Sequence, residues 1–170
     1  RILWSSPDDP DIDFHHEISP MPNGNFIGVV RRYGNVERNG RRELWSGDGI
    51  VEIEPRTNKV VWSWNSFDHY STEDFDEESM TEPDSHHGGY DWTHANSVVF
   101  DSRTNSVYFC VRHLNRITRI DYATGNIVFN MGENTRSGDS HFGDGLFTFP
   151  HSPQVLPNGN MLVYDNGNRR

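Results

Sequence analysis

The chain has 170 residues, of which 33% are hydrophobic and 12% aromatic, enough to build the core of one domain. Its 25 acidic and 15 basic residues give a formal net charge of −10 without a basic patch, which argues against a nucleic-acid partner. No stretch approaches the roughly 18 apolar residues of a membrane span, and a start at Arg1, with neither Met nor signal peptide, leads us to expect a processed or truncated chain.

Two segments near opposite ends of the chain repeat the same pattern. His16 stands six residues before Pro-Asn-Gly-Asn at 22–25, and His151 stands six residues before Pro-Asn-Gly-Asn at 157–160. An apolar run follows each of these sequences. Because both positions of an Asn-Gly turn tolerate positive φ, each segment predicts a tight β-hairpin. Each copy therefore opens with a histidine and continues as strand, turn and strand.

Residues 91–100 (DWTHANSVVF) open a third copy with the same layout. The sequence predicts a strand at 96–100, a turn at 101–105 and a return strand at 106–111. His94 and Asn96 stand where the first strand begins, and strand alternation points both to one side. Arg112 follows the return strand, so an imidazole, an amide and a guanidinium should meet at one sheet end, where they could hold a small oxyanion.

The second half of each copy also recurs, as strand, turn and strand at 49–64 and again at 116–130. Four short antiparallel strands per copy are typical of a β-propeller blade. The copies are spaced more widely than minimal blades, so the extra residues should form loops, at 31–46, 65–90 and 132–149. By alternation, we expect His113 to face away from Arg112, and His15 to face away from His16.

These patterns predict an all-β fold of the β-propeller class. Residues 1–170 would be part of one propeller domain, with approximate blades at 15–67, 92–131 and, incomplete, 150–170. Propellers close with about four to eight blades, so about two to three blades cannot close alone and the remaining blades should lie outside this chain. A small β-sandwich is the alternative.

Residues 68–90 form an acidic insert between the first two blades. We interpret the insert as a solvated loop; Ca²⁺ binding is the alternative, although the spacing of an EF-hand loop is missing. The remaining histidines are placed in loops, at His69, His86, His87 and His141. Cys110 lies in an apolar strand and is interpreted as a small buried residue. Trp62, Trp64 and Phe129 are assigned to core packing.

The shared position of His16, His94 and His151 is the main functional signal. Equivalent positions at the start of innermost propeller strands face one central channel, so the three rings should converge and act together. Three histidines could instead bind a transition metal. However, they lack the short spacing of a helical metal motif, and no carboxylate shares their position.

At these residues the chain resembles the bacterial arylsulfate sulfotransferase family. The similarity runs from His15 to Asn168 and is carried by DWTHANSV, VRHLNRITRIDYATGNIVF and FPHSPQVLPNGNMLVYDNGN, with HHEI before the first PNGN. It implies a six-bladed propeller that moves a sulfuryl group from an aryl sulfate donor to a phenolic acceptor, without a nucleotide sulfate donor or any other cofactor. It also implies a periplasmic or secreted location.

The resemblance implies a role for each candidate residue. His151 matches the histidine that becomes sulfated in a ping-pong reaction, and Arg112 matches the sulfate-binding arginine. His94 and His16 match the sulfate-binding histidines, while Asn96 and His15 are placed on the substrate-binding side. No metal site is expected. The alternatives are a propeller that binds partners without catalysis, and a metal-dependent enzyme that uses the three histidines.

Overall fold

The computed structural model describes residues 2, 4–83 and 88–168, and within them nearly all regular structure is β-strand. The strands are β1 (Phe14–Pro20), β2 (Phe26–Arg38), β3 (Arg41–Glu54), β4 (Lys59–Asn65), β5 (Tyr90–Asp91), β6 (Ala95–Asp101), β7 (Ser106–Val111), β8 (Arg116–Asp121), β9 (Ile127–Gly132), β10 (Pro150–Val155) and β11 (Met161–Asp165). One short helix, α1 (Ser66–His69), follows β4. The predicted all-β class is confirmed.

The strands form three sheets in chain order. β1 to β4 run up and down as one antiparallel sheet, which β5 joins by pairing in parallel with β3. β6 to β9 make a second antiparallel sheet, and β10 and β11 make a two-stranded one. The predicted strands at 106–111 and 116–121 match β7 and β8 to the residue. Closure of these sheets into a propeller stays a prediction.

The Pro-Asn-Gly-Asn segments are hairpin turns, as their sequence predicts. Gly24 connects β1 to β2 and Gly159 connects β10 to β11, and both glycines have φ of 87°. A left-handed φ costs glycine little because it has no Cβ. The first turn is also anchored, because Asn23 and Asn25 both donate side-chain hydrogen bonds to the buried Glu52, at 2.8 and 2.6 Å.

The prediction that residues 31–46 form a loop is wrong. These residues continue β2 and β3 as one long hairpin, paired from Phe26 opposite Ile53 to Arg38 opposite Arg41. The hairpin turns at Asn39 and Gly40, with φ of 51° and 72°. Two consecutive positive φ values are typical of the tight turn that matches the right-handed twist of paired strands.

The described part of the acidic insert is mostly irregular, and most of its acidic side chains are exposed, but its first residues are anchored in the core. α1 begins after Asn65, whose side chain caps the backbone N–H of Phe67 at 3.1 Å. Tyr70 follows, is buried, and donates a hydrogen bond to Thr118 Oγ1 at 2.7 Å. His69 also lies in α1 rather than in a loop, and its ring stacks on Trp64 at 4.3 Å. His86 and His87 lie outside the described residues.

Three hydrophobic clusters hold the sheets together. The largest joins the first two sheets and includes Trp45, Trp92 and Phe109. A second joins the β6–β9 sheet to the β10–β11 hairpin, and it contains Cys110, whose pKa burial raises to about 12. Cys110 is therefore the buried residue that was predicted. The third cluster packs Trp4 and Ile12 of the N-terminal segment against the first sheet.

Trp62, Trp64 and Phe129 have the packing roles assigned to them. Trp64 is buried in the largest cluster and Trp62 packs against it. The indole N–H of Trp62 donates to the carbonyl of Tyr122 at 2.9 Å, across the boundary between the first two sheets. Phe129 packs against the cluster of the second sheet. Among the described residues, no helix has the length and apolar character that crossing a membrane requires.

Candidate active site

Three strands from three different sheets lie side by side, with β6 in contact with both β1 and β10. Each strand has an irregular pairing with its neighbour near its histidine: between Phe14 and Ile18, between Ala95 and Ser97, and between His151 and Gln154. The backbone is left-handed there, with φ of 57° at His16, 45° at His94 and 47° at Ser152. Such bulges re-aim side chains and interrupt the simple alternation of a strand.

The three histidines that open the repeated segments lie together. The ring centroid of His16 is 5.5 Å from that of His94 and 6.2 Å from that of His151. Each ring comes from a different sheet, so the cluster exists only where the three sheets meet. The expectation that these rings converge agrees with the structure.

His94 is held by a carboxylate that sequence reasoning missed. Asp91 Oδ2 makes a short contact with His94 Nδ1, and both side chains are mostly buried, with 14% and 27% exposure. β5 places Asp91 through its pairing with Ser46 of β3. The available signal was the aspartate three residues before the histidine in DWTH. This aspartate was overlooked because β5 has only two residues, too few for the sequence to predict its pairing with β3.

Arg112 lies beside the cluster, held by an aromatic ring and an imidazole. Its Cζ lies 4.4 Å from the ring centroid of Phe149, a cation–π contact. Its Nη1 donates to Nε2 of His113 at 2.8 Å. The expectation that His113 faces away from Arg112 is therefore wrong. The tight turn after β7 brings both side chains to one side, with the backbone N–H of His113 donating to the carbonyl of Thr93 at 3.1 Å.

His113 is neutral in this arrangement. Because a guanidinium can only donate, Nε2 of His113 must accept, and Nδ1–H then donates to the carbonyl of Asp91 at 2.9 Å. Burial, with help from His94 and Arg112, lowers the pKa of His113 to about 4, although Asp91 opposes the shift. His113 is thus a structural link between Arg112 and the peptide of Asp91.

His15 does not point away from His16, contrary to the expectation from alternation. The two Nδ1 atoms lie 2.8 Å apart, so one must carry a proton that the other accepts. The left-handed φ of His16 removes the alternation that would have separated the rings. His15 Nε2 lies 2.9 Å from Asp48 Oδ1, as an ion pair if the ring is protonated, though outside hydrogen-bond geometry.

His16 itself is biased toward the neutral form. Partial burial lowers its pKa to about 4, and the neighbouring His15 and His94 rings add to the shift. Asp48 acts in the opposite direction but is too weak to reverse it. Near neutral pH, His16 can therefore donate one hydrogen bond from its ring, but it carries no positive charge.

His151 lies on β10 with its ring only partly exposed. Its Nδ1 is 2.8 Å from Ser152 Oγ. Burial lowers the pKa of His151, and the positive charge of Arg112 and the His94 ring lower it further, against an opposing effect of Glu17. An uncharged imidazole keeps a nitrogen lone pair, which a nucleophile requires.

Asn96 lies behind His151 rather than beside it. Its side chain is 2% exposed, and its amide N–H donates to the carbonyl of Pro150 at 2.9 Å. Its oxygen accepts from Ser97 Oγ at 2.7 Å. Asn96 therefore ties β6 to β10 at the residue that precedes His151.

Comparison with known families agrees with this geometry. The family model described as Arylsulfotransferase (ASST) matches residues 6–170. The chain belongs to this family. No curated protein shows significant similarity to the chain. Arylsulfotransferases act on aryl sulfates and phenols, so the histidine cluster can be assessed against the needs of sulfuryl transfer.

The arylsulfotransferase chain has one group of potential metal ligands among its described residues, and it does not fit a cation well. Ligand atoms of Asp91, His94 and His113 lie within 4.8 Å of one another. Both ring nitrogens of His113 are already occupied, one by the guanidinium of Arg112. A divalent ion would have to displace a positive charge to use that nitrogen, which is unfavourable.

A cleft of about 390 Å³ runs along the three strands that carry the histidines. Its lining comes from all three: Glu17, Ser19, Val98, Phe100, Pro153 and Gln154 among others. Glu17 Oε2 accepts from the backbone N–H of Val98 at 3.2 Å, which fixes β1 against β6 at the histidine end. His16, His94 and His151 are not among the lining residues of this cleft, which begins beside them at Glu17. A separate, smaller pocket is lined by His16 and His94 together with Asp91.

Proposed function

We propose that this chain carries the sulfuryl-transfer centre of an arylsulfotransferase that needs no nucleotide sulfate donor. The sulfuryl group would pass from an aryl sulfate to His151 and then from His151 to a phenol, in a ping-pong reaction. The observation that carries the proposal is the convergence of three histidine rings beside Arg112, at the point where three sheets meet.

His151 is proposed as the nucleophile because its surroundings favour a neutral ring. If Nδ1–H donates to Ser152 Oγ, the lone pair lies on Nε2. That nitrogen attacks sulfur as the bond from sulfur to the phenolic oxygen breaks, which gives an N-sulfonated imidazole. In the second half-reaction, the acceptor oxygen attacks the same sulfur and restores neutral His151.

Arg112 and His16 are proposed to bind the sulfuryl oxygens. Arg112 supplies the positive charge, and its contacts with His113 and Phe149 hold the planar guanidinium in one orientation. His16 supplies a neutral donor. His15 is proposed to hold the ring of His16 and Asn96 to hold the peptide before His151, so both would act on substrate binding through a neighbour.

Proton transfer is the remaining requirement. The departing phenolate must gain a proton in the first half-reaction, and the incoming phenol must lose one in the second. His16 and His94 are the two rings near His151 that could serve. No metal or organic cofactor is needed for this scheme, because each step moves only the sulfuryl group and a proton.

The wider architecture is proposed from the family. The sheets at 15–67 and 92–131, with the hairpin at 150–170, would be blades of a six-bladed propeller whose other blades lie outside these residues. Those blades would complete the phenol pocket opposite the histidines. A periplasmic or secreted location is proposed on the same basis.

The first test compares two variants by intact mass after brief incubation with a chromogenic aryl sulfate. The complete product of the gene should gain one sulfuryl group, and His151→Ala should abolish both labelling and turnover. Arg112→Lys keeps the positive charge but loses the planar guanidinium with its paired N–H donors. Turnover should therefore fall by about 10²–10³ while slow labelling persists. His141→Ala, at an exposed loop position, serves as the histidine control.

Two outcomes would contradict these roles. Wild-type labelling of His151→Ala would remove His151 as the nucleophile and leave His94 or His16 in its place. Wild-type turnover by Arg112→Ala would show that the guanidinium does not support the transfer. A protein that binds aryl sulfate but shows neither labelling nor turnover would instead be a non-catalytic binding module.

A further inference from the structure

We propose that Asp91 is the positioning residue that makes His94, and not His16, the general acid and base of the transfer. The proposal rests on the sulfuryl-transfer function proposed above and decides between the two rings that could move the proton.

The carboxylate of Asp91 fixes which nitrogen of His94 can exchange a proton with substrate. Its Oδ2 contacts His94 Nδ1, so Nδ1 keeps its proton and the exchange falls to Nε2. The carboxylate is 14% exposed, and water therefore competes little for it. A charged partner behind the ring balances the positive charge that the imidazole gains when Nε2 takes a proton.

The peptide of Asp91 is fixed as well as its side chain. Asp91 pairs with Ser46 of β3, and its carbonyl accepts from Nδ1–H of His113 at 2.9 Å. His113 in turn accepts from Arg112. One residue therefore sets the position of the ring that moves the proton and, through His113, that of the guanidinium that binds the sulfuryl group.

In the described part of the chain, no carboxylate bonds to the ring of His16 as Asp91 does to that of His94. Its Nδ1 faces the imidazole of His15, and the carboxylate of Asp48 lies one ring further away. Both oxygens of Asp48 are already engaged, with Oδ2 accepting from Thr93 Oγ1 at 2.6 Å and Oδ1 facing His15. A ring that faces another imidazole rather than a carboxylate is a poor site for positive charge, which suits His16 to hydrogen bonding alone.

The groups that face His94 come from four parts of the chain. Asp91 approaches from β5, His16 from β1 at 5.5 Å between ring centroids, and His113 from the turn after β7 at 4.6 Å. His151 of β10 completes the set through its charge interaction with His94. The backbone N–H of Arg112 donates to the carbonyl of His94 at 3.4 Å. Asp91 is the carboxylate that bonds to the His94 ring in the described part of the chain.

The proton balances over the two half-reactions. In the first, Nε2–H of His94 gives its proton to the phenolic oxygen while the bond from that oxygen to sulfur breaks and His151 bonds to sulfur. In the second, Nε2 of His94 takes the proton of the acceptor phenol while that oxygen bonds to sulfur and the bond from His151 to sulfur breaks. His94 and Asp91 end as they began.

The test uses Asp91→Asn with aryl sulfates whose phenols differ in acidity. A donor with an acidic nitrophenol leaving group needs little protonation, whereas phenyl sulfate depends on it. We therefore expect Asp91→Asn to lower the turnover of phenyl sulfate by about 10²–10⁴ and that of the nitrophenyl donor much less. The dependence of rate on the acidity of the leaving group becomes steeper. Loss of a merely structural contact would slow both donors by the same factor.

The matched control is Asp101→Asn. Asp101 is a buried carboxylate at the other end of β6, where it accepts hydrogen bonds from Arg103 and Thr104. Its replacement disturbs the same strand without touching the histidines, so any loss of activity should be equal for both donors. An equal loss in Asp91→Asn would overturn the proposal.

If Asp91→Asn does not fold, variants of the two histidines test the proposal instead. His94→Gln should show the steeper leaving-group dependence, and His16→Gln should slow both donors alike. The reverse pattern would assign the proton to His16 and overturn the proposal while leaving sulfuryl transfer intact. If the unmodified protein neither turns over nor becomes labelled with any aryl sulfate, the proposed function fails and this inference fails with it.

Discussion

His113 shows how a residue outside the proposed chemistry can control it. Its ring accepts from the guanidinium of Arg112 and donates to the carbonyl of Asp91, so it must stay neutral to keep both bonds. Protonation would place a second positive charge against Arg112 and remove the acceptor at Nε2. The link between Arg112 and Asp91 is therefore sensitive to pH.

The free energy of unfolding should fall as the pH falls from 6.5 to 4. The pKa of His113 is about 4 in the folded protein, against an ordinary value of 6.5 in the unfolded chain. Between these two pH values the unfolded chain binds a proton that the folded protein does not. The loss should reach at most about 3 kcal/mol for this group. Above pH 6.5 this contribution to stability is fully present.

Denaturant unfolding measured at several pH values checks this prediction. His113→Asn should lower stability near neutral pH and flatten its decline toward pH 4, while His141→Asn should keep the wild-type slope. An unchanged slope in His113→Asn would show that other groups cause the decline. His16 adds to the decline in the same direction, because its pKa is also lowered to about 4.

The sequence predicted the site through its repeats but not through its partners. His16, His94 and His151 share a position in the repeated segments, and that was enough to expect their convergence. Asp91 and His113 were missed because their contacts depend on a parallel strand pair and a tight turn, which leave no periodic signal. Alternation placed His15 wrongly because it assumes a regular strand.

At the scale of elements, the backbone at the end of β9 lies so close to the backbone of Asn115 that the position requires glycine. Gly132 has φ of 117°, and a Cβ built there would lie 1.9 Å from the carbonyl oxygen of Asn115. The same turn matters to the site, because Asn115 Oδ1 accepts from the backbone N–H of Phe149, the residue beneath Arg112.

Gly132→Ala should therefore destabilise the protein by about 3 kcal/mol or more, since backbone must move as well as adopt a strained φ. Gly143→Ala is the matched control: its φ is 90°, but nothing lies within 4 Å of the added Cβ. It should cost only about 1 kcal/mol. Thermal unfolding of both variants measures the difference, and equal destabilisation would show that the contact with Asn115 relaxes at no cost.

The elements themselves were largely predictable, with one informative exception. The strands of the second sheet have apolar, β-branched cores and clear turns, so their bounds followed from the sequence. Residues 31–46 were predicted to be a loop because the repeated copies are spaced more widely than minimal blades. In the structure they form a long hairpin on which Arg41 and Arg42 are exposed, whereas Arg38 is half-buried over the ring of Phe75. The sign of this hairpin in the sequence is the Asn39-Gly40 turn.

At the scale of the whole molecule, the β10–β11 sheet is the smallest of the sheets in the described residues. It has two strands, and on β11 Leu162 and Tyr164 are 56% and 66% exposed. Unpaired strand edges and exposed apolar side chains are usually covered by a further strand, another element or a partner. Under the proposed propeller, that cover is the rest of the third blade.

Amide hydrogen exchange should reveal this difference. In residues 1–170 expressed alone, β11 should exchange much faster than β7, which is buried along its whole length. In the complete product of the gene, β11 should become protected while β7 stays unchanged. Equal exchange of β11 in the two proteins would show that no further strand covers it. The repeats predicted the blades at 15–67, 92–131 and 150–170, but a closed ring of six was expected only from the family resemblance, because no pattern in these residues sets the total number of blades.

Because the histidine cluster lies where three sheets meet, it can form only at a late stage of folding. His16 and His151 stand near opposite ends of the chain, so their approach requires closure of a very long loop. Each sheet, by contrast, is built from hairpins between sequence neighbours, which form quickly. The histidine cluster therefore assembles last, after every sheet has formed and docked. Under the proposed function, a molecule with any one sheet misplaced is inactive however native its spectrum.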